Sequence, residues 1–167
     1  MILNTKIHKY NLYNTLLKLS RNLFFYNKVK LQDNFETRLY LMFIHFSVML
    51  IVSRKKKEKF DQGLYDFFFH NIENNLRELG FGDVAVNKKM KDFNKILYDI
   101  LLKLENAKSK NYEFKINHNL SVKYFAELKN PKSREFIDFE TYFTVFFNFC
   151  FELSLENMLR EAINFKN

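Results

Sequence analysis

The sequence has one cysteine, one proline, three glycines and no tryptophan in 167 residues. Each scarcity excludes something. The lone Cys150 permits no intrachain disulfide and no cysteine cluster for zinc. Its aromatic neighbours point to a buried small hydrophobe, and nothing local would lower its pKa for nucleophilic work. So few glycines and prolines cannot supply the turns of a β-sandwich or barrel. They also leave no glycine-rich loop for phosphate or dinucleotide binding. Residues 1–10 contain no apolar run of the signal-peptide kind, so the chain is expected to stay in the compartment where it is made. The apolar segments Leu39–Val52 and Tyr142–Leu155 are read as too short for the roughly 20 residues that cross a bilayer.

What is abundant is phenylalanine, with 21 residues, and tyrosine, with nine. They can fill a core or line a client-binding surface. The length suits one domain spanning residues 1–167. The net charge of +8 directs attention to RNA, ribosomes or anionic lipid, or simply to a solvated lysine-rich surface.

Apolar spacing predicts an all-α, single-domain bundle of about six helices. The first covers about Thr5 to Leu19, capped by Asn4, with Leu12, Leu16 and Leu19 on one face. Asp33 is expected to open the second, with Glu36 completing a capping box. That helix is apolar nearly all round, which places it at the bundle centre. A third is expected over Glu58 to Leu79, with Phe60, Leu64, Phe67, Phe68, Ile72, Leu76 and Leu79 facing inward and Gly80 stopping it in a left-handed conformation. Asn87 is read as the cap of the fourth. Tyr112, Phe114 and Ile116 alternate as in a short extended piece. Asn130-Pro131 breaks a short helix, and Asp138 is expected to cap a long last helix to about Phe165.

Polar constellations are few. Asp66, His70 and Glu73 share a helical face, but no facing motif completes a metal site. His45 lies among apolar residues and reads as a hydrogen-bonded core histidine rather than a haem ligand. Arg38 is expected to clamp a carboxylate, Asp33 or Asp83. No catalytic, cofactor or metal site is expected, and the protein is read as a non-enzyme.

The segment Gln62-Gly63-Leu64-Tyr65-Asp66-Phe67-Phe68, followed by Leu76-Arg77-Glu78-Leu79-Gly80-Phe81-Gly82-Asp83, resembles the ubiquinol–cytochrome c chaperone family. Val86, Lys88, Lys89, Met90 and Lys91 continue the likeness. Upstream, Phe25-Tyr26, Asp33, Arg38, Leu41 and His45 match in type and spacing. The likeness covers about Phe24 to Tyr98. Leu97-Tyr98-Asp99-Ile100 departs from it, lacking the family's glycine and arginine there. The motif residues Asp33, Arg38, His45, Asp66, Arg77, Glu78, Gly80, Gly82 and Asp83 are taken as structural.

The resemblance implies a bacterial assembly chaperone that binds newly made cytochrome b and supports biogenesis of the cytochrome bc complex, respiratory complex III. It implies action in the cytoplasm or on the cytoplasmic face of the inner membrane. A second assembly factor, the ribosome and peripheral contact with anionic membrane are further partners to consider, and DNA is not expected. The rival reading is a basic helical adaptor for RNA or ribosomes, whose binding would weaken steeply with salt. The row Phe147, Phe151 and Leu155 is the candidate client surface. Arg54, Lys55, Lys56, Lys57, Lys88, Lys89 and Lys91 form the candidate basic surface.

Overall fold

The computed structural model describes residues 12–106 and 114–167. Among these the fold is all-α, with no strand. Helix α1 occupies residues 12–20, and its apolar face of Leu12, Leu16 and Leu19 is buried. The proposed start at Thr5 with its Asn4 cap, and Tyr112, lie outside the described residues. A short α2 follows at Leu23–Asn27, then α3 at Phe35–Lys55, α4 at Gln62–Glu78, α5 at Asp83–Asn106, α6 at His118–Tyr124, α7 at Arg134–Phe151 and α8 at Leu155–Glu161. Single 3-10 turns at Ala126–Leu128 and Ala162–Asn164 trail α6 and α8. The division is finer than the expected six helices.

Side-chain caps explain where the helices begin. Asn34 Oδ1 accepts from Thr37 N at 2.9 Å, and Asp61 Oδ1 from Gly63 N at 2.8 Å. Ser133 Oγ accepts from Phe136 N at 3.1 Å, and Ser154 Oγ from Asn157 N at 3.2 Å. Each satisfies an amide that the first turn leaves without an intrahelical acceptor.

The observed helix ends correct five expectations. Asn34, not Asp33, caps α3, which frees Asp33 to bind Arg38. Helix α4 begins at Gln62 rather than Glu58, because Lys57 takes a left-handed φ of +57°. Glu58 N and Lys57 N then bond back to Ser53 O and Arg54 O at 2.9 and 3.0 Å, closing α3 with a reverse-turning cap. Helix α5 begins at Asp83, so Asn87 lies inside it. Asp138 lies inside α7, paired with Arg134 at 3.1 Å. The long last helix is also two helices. Ser154 turns its side chain back to cap α8, and the chain bends at Glu152–Ser154.

Helix α3 is the axis of the fold and packs against α5 and α7, while α4 packs against α5. Leu39, Leu41, Met42, Phe43, Ile44, Phe46, Val48, Met49, Ile51 and Val52 are all buried. At 21 residues this helix is long and apolar enough to cross a membrane by length and composition, contrary to the shorter sequence estimate. In this fold, 72% of its most apolar window is buried by its own neighbours. On α4 the inward residues include Phe69, whereas Phe67 is half-buried and Leu79 is exposed.

The core is aromatic. Phe25 is fully buried, with its ring centroid 4.6 Å from Tyr142 and 5.9 Å from both Phe143 and His45. Phe46 meets Phe68 at 5.0 Å, and Phe139 meets Phe143 at 5.0 Å. Most pairs are edge-to-face or tilted, as the ring quadrupoles favour.

Candidate functional site

Gly80 ends α4 at φ +94°. Phe81 N bonds to Leu76 O at 3.2 Å and Gly80 N to Arg77 O at 3.0 Å, satisfying the last carbonyls of the helix. Arg77 then joins the two helices across this turn. Its guanidinium donates to Glu73 at 2.9 Å and also to Asp83 in the first turn of α5. These two carboxylates raise the Arg77 pKa. A Cβ added at Gly80 would meet no atom within 4 Å, so backbone conformation alone demands glycine. Gly80→Val is expected to cost about 1–2 kcal/mol or more, since left-handed φ is unfavourable for L-residues and worst for β-branched ones. Gly82→Ala, with ordinary φ and open space, should stay within about 0.5 kcal/mol of wild type. Denaturant melts of the two variants make the comparison.

Other motif residues lie along α3 and α4. Arg38 donates to both oxygens of Asp33, at 2.8 and 3.0 Å. Of the two partners expected for Arg38, Asp33 is the one bound, and its hydrogen bonds raise the Arg38 pKa. Asp66 is exposed and accepts from Gln62 at 2.9 Å. Among the described residues no group of His, Cys, Asp and Glu side chains gathers to hold a metal ion.

Arg38 and Glu78, from the two motif segments, come together on one groove of about 520 Å³. One wall is α3, through Phe35, Leu39 and Met42. The other is α4 and its C-cap, through Ile72, Asn75, Glu78 and Leu79, and α1 with the turn after it contributes Tyr13, Leu17 and Arg21. Asn75 donates to the Tyr13 hydroxyl and ties α4 to α1. Leu79 is 63% exposed and Phe35 is 37% exposed. The groove therefore has an apolar floor, an apolar lip and charges of both signs at its rim. Such a shape receives the apolar face of a peptide or helix while its ends stay hydrated. Sequence reading missed it because Leu79 repeats the inward spacing of Ile72 and Leu76 yet is exposed, and the joint position of Phe35 and Leu79 depends on how α1, α3 and α4 pack.

His45 lies elsewhere, at the centre of the core. It is fully buried, with Nδ1 2.7 Å from Leu41 O and Nε2 2.9 Å from the Tyr142 hydroxyl. A carbonyl only accepts, so Nδ1 carries the proton and Nε2 accepts from Tyr142. Burial pushes the His45 pKa down to about 3, against a smaller upward pull from the Leu41 carbonyl. Burial likewise pushes the Tyr142 hydroxyl and the Cys150 thiol up.

The expected row of Phe147, Phe151 and Leu155 does not form one surface. Phe147 is buried and stacks on Phe114 at 4.6 Å. Phe151 is 42% exposed and stacks on Phe147 at 5.9 Å. Leu155 belongs to α8 and is half-buried, with its amide held by Glu58 Oε2 at 2.6 Å. The break at Glu152–Ser154 separates it from the other two.

The basic residues also divide. Arg54, Lys55, Lys57, Lys88 and Lys91 are exposed. Arg54 pairs with Glu105 on α5. Lys56 is half-buried, donates to Leu153 O and lies 3.7 Å from Glu58, so it fastens the end of α3 to the turn before α8. Lys89 is half-buried, with Nζ 4.8 Å from the Phe81 ring centroid. Asp99, where the sequence departs from the resemblance, accepts from Lys123 at 2.8 Å, from Lys103 at 3.0 Å and from the Tyr124 hydroxyl. Burial opposes its ionisation, but these hydrogen bonds outweigh burial and hold the carboxyl below its ordinary range. Asp99 therefore clamps α5 to α6.

A family model described as Ubiquinol-cytochrome C chaperone matches residues 27–137, well over half of the chain. The chain belongs to the ubiquinol–cytochrome c chaperone family. Comparisons with curated proteins and with solved structures return no match. The match spans α3 to α6 entirely, and so includes both motif walls of the groove. Membership gives this chain a chaperone role in cytochrome bc assembly, points to binding of a client protein, and implies a non-enzymatic role.

Proposed function

We propose that this protein binds newly made cytochrome b and holds it for assembly into the cytochrome bc complex, and that it receives the client in the groove of α1, α3 and α4. The observation that carries this reading is an apolar groove whose α3 and α4 walls come from the segments that bear the family motif. A transmembrane client exposes apolar helical faces before assembly, and a groove with apolar lips at Phe35 and Leu79 can cover one. The charges of Arg38 and Glu78 at the rim would orient the polar end of the bound segment. The proposed place of action is the cytoplasmic side of the membrane that receives the client.

The test is co-expression of the tagged protein with cytochrome b, followed by detergent extraction and quantitative recovery of the complex. Wild type should retain cytochrome b. Phe35→Glu with Leu79→Glu should reduce recovery at least tenfold, equivalent to about 1.4 kcal/mol or more, and Leu79→Glu alone, at the more exposed lip, should reduce it with little change in melting temperature. Phe151→Glu should retain it. Loss with Phe151→Glu alone would move the client to the α7 end. Failure of wild type to retain cytochrome b would overturn the client assignment.

A further inference from the structure

We propose that the outer face of α5 docks on an anionic lipid bilayer. Val84, Lys88, Lys91, Lys95, Tyr98 and Leu102 recur at spacings of four and three residues along this helix. At 100° per residue they fall on one narrow stripe that spans about 27 Å of helix. All six are exposed, and the three apolar members strongly so: Val84 is 86%, Tyr98 60% and Leu102 58% exposed. The opposite face, with Val86, Phe93, Leu97, Ile100 and Leu104, is buried in the core. The stripe is therefore a second apolar feature that the fold does not use.

Its charge identifies the occupant. Among the described residues, Lys88, Lys91 and Lys95 make no ion pair, whereas the neighbouring acids are largely engaged. Asp83 is held by Arg77, and Asp99 by Lys103 and Lys123. Asp92 is the remaining acid beside the stripe, leaving it net positive. A convex face with central lysines and apolar groups at both ends matches a lipid headgroup layer. Lysine ammoniums meet the phosphates, while Val84, Tyr98 and Leu102 enter the interface shallowly. RNA would use the lysines but gains little from exposed valine and leucine. The inference does not depend on the identity of the client.

Co-sedimentation of the full chain with vesicles tests it. Binding is expected to vesicles that mix phosphatidylcholine with phosphatidylglycerol, and not to phosphatidylcholine alone. Replacing Lys88, Lys91 and Lys95 together by glutamine should weaken partitioning roughly 100-fold, at about 1 kcal/mol per lysine near the surface. Val84→Ser with Leu102→Ser should weaken it about tenfold with all charges kept. The chain has no tryptophan, so Val84→Trp introduces a single reporter whose emission should shift to the blue on anionic vesicles. Equal binding to neutral vesicles, or no binding to either, would overturn the proposal. So would full binding by the serine variant with an unmoved tryptophan emission, or displacement from vesicles by single-stranded RNA that depends on the lysines alone. Melting temperatures of all variants should match wild type, because every altered side chain is exposed.

Discussion

His45→Ala is expected to destabilise the protein by about 3–5 kcal/mol, the range for truncating a large buried ring. The imidazole touches Phe143, Phe146 and Tyr142 with ring centroids 4.8, 4.9 and 5.5 Å away. Its removal opens a cavity between α3 and α7 and strands two polar groups. The Tyr142 hydroxyl loses its acceptor, and the Leu41 carbonyl loses a donor. Tyr142→Phe should cost less, about 1–3 kcal/mol, because only Nε2 is left unpaired in an otherwise intact core. A double-mutant cycle measured by urea unfolding checks both. The two losses should not add, since each variant breaks the same hydrogen bond. A near-neutral His45→Ala would mean that this packed centre is not where the fold draws its stability.

The same histidine should set an unusually early acid limb. Its folded pKa of about 3 lies below the ordinary value of 6.5. Between these values the unfolded chain binds the proton and the native protein does not. Stability from this group is therefore complete above pH 6.5 and falls as pH decreases toward 3. The slope approaches about 1.4 kcal/mol per pH unit, so roughly 2 kcal/mol should be lost between pH 6.5 and 5. Asp99 acts in a different window. Its depressed pKa makes its clamp fully effective above the ordinary carboxylate value of 3.8, and lost only as pH falls below that. Unfolding free energies at pH 7, 6 and 5 therefore separate the His45 contribution from that of Asp99. His45→Gln should flatten the slope across this interval even if it lowers stability overall. An unchanged slope in that variant would place the early titration on another group.

Much of the fold follows from local chemistry in the sequence. Helical spacing of Leu12, Leu16 and Leu19, and the all-round apolar character of α3, are sufficient to mark buried helices, because burial is periodic along each helix. The stop at Gly80 is legible for the same local reason, since only glycine takes φ +94° without cost. Helix starts were less legible. Where Asp33 and Asn34, or Asp138 and Ser133, compete to cap, the choice depends on what else each side chain can bind. Asp33 is taken by Arg38, and Asp138 by Arg134. The bend before Ser154 was hidden too, because Phe147, Phe151 and Leu155 keep helical spacing across a chain that is no longer one helix.

By itself the sequence determined the class, the family and the character of the core. Its motif lies within one continuous stretch, and the pattern of apolar residues repeats with the helix. Only the tertiary structure decided the surfaces. The groove draws Tyr13, Phe35, Arg38, Ile72 and Leu79 from three helices. Arg38 and Glu78 are 40 positions apart and line one groove because α3 and α4 each supply a wall of it. Whether an aromatic is core or surface was likewise a tertiary matter. Phe147 is covered by Phe114, and Phe151, one turn further on, is left partly to solvent. Spacing tells which side chains share a face of one helix, but which face is covered depends on neighbours brought in from distant sequence.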